Sequence, residues 1–90
     1  MPRPTNPLRI PAGEKLTPEL GFAIILRERR MALGLTQAEL EGDDELDQSY
    51  ISKLEQGQRQ VCLRGLIHLA GKLQMEPEEL LAEVMKRIRD

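Results

Sequence analysis

Between Gly34 and Gly57 the chain carries more helix starts and stops than it has helical length. Thr36 followed by Glu39 is a capping box, in which each side chain satisfies the other residue's backbone N–H at the head of a helix. Gly42 and the Asp43-Asp44 pair then break that helix soon after it begins. Asp47 is the next N-cap and Gly57 the next stop. The spacing predicts two short helices joined by a tight turn, the second over about 48–56.

The flanks are more regular. Thr17 can cap, Pro18 suits a first helical position and Gly34 a C-terminal stop, so a helix is expected over about 18–33. Phe22, Ile25, Leu26 and Leu33 fall on one stripe of it, and Arg27, Arg29 and Arg30 cluster in its last turns. Leu63, Leu66, Ile67, Ala70 and Leu73 repeat at helical spacing and mark a fourth helix. Glu76, Pro77, Glu78 and Glu79 open a fifth, about 77–89, whose last turns hold Lys86, Arg87 and Arg89. No segment alternates as a strand would. The expectation is an all-α domain of five helices over residues 18–90. Residues 1–17, with Pro2, Pro4, Pro7 and Pro11, read as an arm carrying Arg3, Arg9 and Lys15, either a disordered tail or a nucleic-acid-contacting extension.

Ninety residues suffice for one small core. A single cysteine, Cys62, excludes an internal disulfide framework. No apolar run nears the roughly 18 residues of a membrane span, and the N-terminus does not read as a signal peptide; a cytoplasmic protein is expected. The net charge of −2 conceals alternating blocks. Residues 1–38 and 48–74 are each net positive, whereas 39–47 hold Glu39, Glu41, Asp43, Asp44, Glu45 and Asp47 without a base. Local fields can therefore be positive despite the acidic total.

Ile51 and Leu54 give the helix after Asp47 a narrow buried face and leave Gln48, Ser49, Ser52 and Lys53 outside. Side chains that are short or flexible can meet base edges in a major groove, donating or accepting at purine N7, O6 and N6. The start of the preceding helix, with Gln37, can point at a phosphate. These are the parts of a helix-turn-helix.

The runs GLTQAEL, SYISKLEQGQRQ and LIHLAGKLQMEPEEL resemble the Cro/lambda-repressor-like helix-turn-helix domains, over about residues 18–82 and without a gap. The chain also looks like the restriction–modification controller subgroup, in which a similar SYIS…E.G.R run recurs. The resemblance implies base contacts from Gln48, Ser49, Ser52 and Lys53. It implies that Gln37 contacts a phosphate and braces the recognition helix, with further backbone contacts from Gln56, Gln58 and Arg59. It also implies an ion pair between Arg30 and Glu55. Arg27 is expected to face DNA, and Tyr50 either touches a phosphate or packs on the turn. The chain departs from the family at Glu41 and Glu45, where small residues usually allow a close helix crossing. Both carboxylates must turn outward, so the second helix is expected to be short or distorted.

Other residues have plainer expectations. His68 should face solvent, and Cys62 should be a small packed side chain near a helix cap. Leu80, Leu81, Val84, Met85 and Ile88 form a stripe expected to make a dimer contact. The best reading is a homodimeric DNA-binding transcriptional regulator on a near-palindromic site. The alternative is a protein-interaction module, an antitoxin or adaptor, using the acidic turn 39–47. No nucleophile–base pair, metal cluster or phosphate loop is present, so neither an enzyme nor a cofactor is expected.

Overall fold

The computed structural model describes residues 16–89. It holds four α-helices, α1 (Pro18–Ala32), α2 (Gln48–Glu55), α3 (Leu63–Lys72) and α4 (Pro77–Arg89), with one 3-10 turn, Ala38–Leu40, between α1 and α2. Among the described residues every regular element is helical. The arm expected over 1–17 falls almost wholly outside them, Arg3, Arg9 and Lys15 included.

Five expected helices thus become four and a turn, and the second is the one that shrinks. Its capping box forms in full: Thr36 Oγ1 accepts from the Glu39 N–H at 3.2 Å, and Glu39 Oε1 accepts from the Thr36 N–H at 2.8 Å. Leu40 buries completely. Glu41 then takes extended backbone at ψ 154°, and a loop closes in which the Gly42 N–H donates to Leu46 O at 2.8 Å. Continuing the helix would drive Glu41 and Glu45 toward the crossing with α2, where desolvating a carboxylate costs several kcal/mol. Leaving the helix lets Leu40 and Leu46 anchor the loop in the core while Glu45 stays exposed and Glu41 half-buried.

The other helices start as their caps dictate. Thr17 Oγ1 accepts from the Leu20 N–H at 3.1 Å, and Asp47 Oδ1 from the Tyr50 N–H at 2.9 Å. Cys62 Sγ accepts from the Gly65 N–H at 3.3 Å. Each bond satisfies one of the donors a helix leaves unpaired at its head. At the end of α2, Gly57 at φ +72° turns the chain so that the Gln58 N–H reaches Lys53 O at 2.9 Å.

Helix α1 lies between α2 and α4. Packing from both sides buries every residue from Gly21 to Leu26 rather than a single stripe, while Leu33, the C-cap, is exposed. The core is completed by Leu40, Leu46, Ile51, Leu54, Leu69, Leu73, Leu80 and Val84. Burying each large aliphatic side chain of this kind contributes about 1.5–3 kcal/mol. The stripes expected on the last two helices split. Leu69 and Ala70 of α3 and its C-cap Leu73 face inward, but Leu63 and Ile67 are exposed. On α4, Val84 and Ile88 are not on a free dimer face; they join the core, leaving Leu81 and Met85 outside.

Candidate nucleic-acid interface

Helix α2 presents two unlike sides. Tyr50, Ile51, Leu54 and Glu55 are buried, whereas Gln48, Ser49 and Lys53 are exposed and Ser52 is half-exposed. Gln56 Nε2 donates to Ser52 Oγ at 3.4 Å, linking the outer face to the C-cap.

A buried charge fixes the orientation of this helix. The side chain of Glu55 is 1% exposed. Its Oε2 accepts from Arg30 Nε at 2.6 Å, and its Oε1 from Arg30 Nη2 at 3.0 Å and Gln37 Nε2 at 3.1 Å. Arg30 Nη1 also donates to Leu35 O at 2.8 Å. One carboxylate therefore ties α1, the connection after it and the 3-10 turn to the end of α2. Charge-assisted, bidentate bonds of this sort fix geometry as well as adding energy.

The segment after α2 is braced by Tyr50. The ring is buried, and its hydroxyl accepts from the Cys62 N–H at 3.1 Å. The hydroxyl proton has two acceptors within reach, Gln60 O at 3.4 Å and Cys62 Sγ at 3.7 Å. Of the two sequence readings of Tyr50, this geometry is the packed one. The Arg59 guanidinium lies 5.4 Å from the centre of the ring, a cation–π distance that holds it beside α2. Gln58 is exposed next to it, Gln56 is half-buried, and Arg27 is half-buried on α1.

Cys62 is exposed rather than packed. The Gly65 N–H and then the Tyr50 hydroxyl hold its thiol below the ordinary thiol range, while burial pushes Tyr50 upward. His68 does not face solvent as expected: it is half-buried, its Nε2 lying 2.9 Å from Leu40 O and 3.1 Å from Glu41 O. Two carbonyl neighbours require the proton on Nε2. This bond staples α3 to the end of the 3-10 turn, and it needs Gly42, since a Cβ there would lie 2.6 Å from His68 Cε1. Neither Tyr50–Cys62 nor His68–Leu40 was visible in the sequence, because no local spacing pairs residues so far apart.

An open recess lies where these parts meet, lined by Asp44, Glu45, Asp47, Ser49, Tyr50, Lys53 and Arg59. The acidic turn therefore borders the outer face of α2 instead of pointing away from it. Asp44, at φ +59°, also receives Arg64 Nη1 at 3.0 Å.

A polar helix face held by its neighbours, preceded by a capped turn, is the geometry of a helix-turn-helix, and the profile of the helix-turn-helix domain family matches residues 22–84. The chain belongs to the Cro/lambda-repressor-like helix-turn-helix family. It is similar to the restriction–modification controller protein C.AhdI from Aeromonas hydrophila, at 44% identity and a TM-score of 0.62, over 69% of this chain and 94% of that one. Its fold is also that of the clp gene regulator ClgR from C. glutamicum, at 22% identity and a TM-score of 0.72, over 84% of this chain and 97% of that one. No curated protein matches the sequence. Membership makes this domain one of a DNA-binding, transcription-regulating type. Among the described residues no helix is long and apolar enough to cross a membrane.

Proposed function

We propose that this helix-turn-helix protein is a cytoplasmic, sequence-specific transcriptional regulator that binds a near-palindromic operator as a homodimer. The observation that carries the reading is the outer face of α2, exposed at Gln48, Ser49 and Lys53 and held from behind by the Arg30–Glu55–Gln37 network. In this reading Gln48, Ser49, Ser52 and Lys53 meet base edges. Arg27, Gln56, Gln58 and Arg59 meet phosphates, and Gln37 braces α2 beside a phosphate. Tyr50 acts through Arg59. Two such helices roughly 34 Å apart enter successive major grooves. The 44% identity to a restriction–modification controller supports a regulatory role of that kind.

A protein partner at the acidic turn 39–47 has less support, because Asp44, Glu45 and Asp47 line the same recess as Ser49, Lys53 and Arg59. The deciding experiment selects duplexes from a random DNA library and titrates the winner at about 50 and 200 mM salt. A palindromic winner bound far more tightly than random DNA is expected. No enrichment, with only weak binding that vanishes at high salt, would overturn the reading.

A further inference from the structure

Three carboxylates line the recess beside α2, and two of them are already engaged. Asp47 Oδ1 accepts from the Tyr50 N–H at 2.9 Å, capping the helix, and Asp44 Oδ2 accepts from Arg64 Nη1 at 3.0 Å. Glu45 is exposed, and among the described residues its side chain has neither a hydrogen bond nor an ion pair. It stays unpaired although Lys53 and Arg59 line the same recess. Arg59 is held over the Tyr50 ring instead.

The recess holds about 370 Å³, room for the edge of a base rather than for one water. Ser49 and Lys53, which also line it, lie one turn apart on the outer face of α2. A base edge that meets those two residues therefore comes before Glu45 as well. A carboxylate is repelled by the phosphates of every sequence, and only a hydrogen-bond donor on a base offsets that. In the major groove guanine and thymine offer a carboxylate no donor. Adenine sets its N6 amine beside the N7 acceptor, whereas the N4 amine of cytosine has no acceptor next to it on its own base. The paired guanine presents O6 and N7, the acceptors that a lysine reads. A free carboxylate and a lysine in one recess thus complement the two halves of a G·C edge.

We infer that Glu45 is a specificity-determining residue, accepting a hydrogen bond from the N4 amine of a cytosine at or beside the base pair whose guanine Lys53 contacts. The inference rests on the DNA-binding reading proposed above and adds to it a base contact from outside α2. Glu45 is one of the two positions at which the chain departs from its family, so resemblance carries no contact over to it. Its charge acts in two directions, favouring the matching base and disfavouring the others, which is how a specific site separates partners.

The test compares duplexes selected from a random library by wild type, Glu45→Gln and Glu45→Ala, each titrated by anisotropy in about 100 mM salt. Glu45 is exposed, so neither change removes core packing. Wild type is expected to select cytosine at one position of each half-site and to bind the other three bases there about tenfold more weakly. Glu45→Ala should bind all four bases there within about twofold of one another. Glu45→Gln should shift the preference to adenine, whose N6 and N7 an amide meets with two bonds. N4-methylcytosine at that position puts a methyl group where the free amine hydrogen was. It should weaken wild type about tenfold and leave Glu45→Ala unchanged. Variants that gain affinity on every sequence with their base preferences unchanged would make Glu45 a source of repulsion only and overturn the inference. A cytosine preference remote from the position that Lys53→Ala relaxes would overturn it too. No enrichment by wild type would overturn the DNA-binding reading and this inference together, whereas a palindromic winner indifferent to Glu45 sinks the inference alone.

Discussion

Arg30 and Glu55 grip each other through two bonds, Nε to Oε2 at 2.6 Å and Nη2 to Oε1 at 3.0 Å, in a site where the carboxylate is 1% and the guanidinium 13% exposed. The pair joins the end of α1 to the end of α2, and Gln37 shares the same carboxylate. Removing the cation leaves a buried, uncompensated charge. Arg30→Ala is therefore expected to cost about 3–5 kcal/mol in urea unfolding, a large part of a small domain's total stability. A loss below about 1 kcal/mol would show that the pair is not what holds α2.

Lys53 and Arg59 differ in kind, one on the outer face of α2 and the other stacked beside Tyr50. On a selected operator, Lys53→Ala is expected to cost about 1–3 kcal/mol and to relax preference at one base position. Arg59→Ala should weaken all sequences alike and reduce the salt slope by about one. Anisotropy titrations against matched and scrambled duplexes separate the two; the same profile for both variants would mean that the assignment is wrong.

Asp44 and Glu45 share a recess with Lys53 and Arg59, so their charge acts on any polyanion approaching there. Neutralising them with Asp44→Asn and Glu45→Gln should raise affinity for random DNA more than for the operator. The specificity ratio falls as a result. The effect should shrink between about 50 and 200 mM salt, as screened charges require. An unchanged ratio would remove the acidic turn from the interface.

Two turn positions have opposite needs. Gln74 sits at φ +61° after α3, a left-handed conformation that favours glycine, so Gln74→Gly should raise stability by about 1 kcal/mol. Gly57, at φ +72°, also meets Leu20, since a Cβ would lie 2.7 Å from Leu20 Cδ2. Gly57→Ala should cost about 1–2 kcal/mol. Thermal unfolding of both variants reads the signs directly, and equal signs would contradict the turn geometry.

The thiol of Cys62 should react at lower pH than an ordinary cysteine, since the Gly65 N–H and the Tyr50 hydroxyl favour its thiolate. A depressed acid pKa stabilises the folded state above the unfolded value and loses that contribution as pH falls through the folded one. The raised Tyr50 pKa works the other way, losing stability as pH rises through it. The pH profile of iodoacetamide alkylation should have its midpoint below that of unfolded chain, and Tyr50→Phe should move it upward. A midpoint unaffected by Tyr50→Phe would exclude the hydroxyl as a cause.

Much of the site was legible because its signals are local. The capping box at Thr36 and Glu39, the cap at Asp47 and the stop at Gly57 each act within one or two turns, so residue type and spacing foretell them. The misreadings of helix faces share one cause. His68 looked solvent-facing, and Val84 and Ile88 looked like a dimer face, because a helix taken alone does not say which neighbour covers it.

By itself the sequence determined that this chain is helical, where its helices begin and end, that the second must be short, and which polar residues leave the face of α2 free. Only the tertiary structure decided that α1 is buried on every side between Gly21 and Leu26, that the acidic turn borders the recess, and which half of the α4 stripe stays exposed. Caps and breakers are satisfied by atoms a few residues away. Burial depends on which distant segments pack together, and that is settled by the whole core at once.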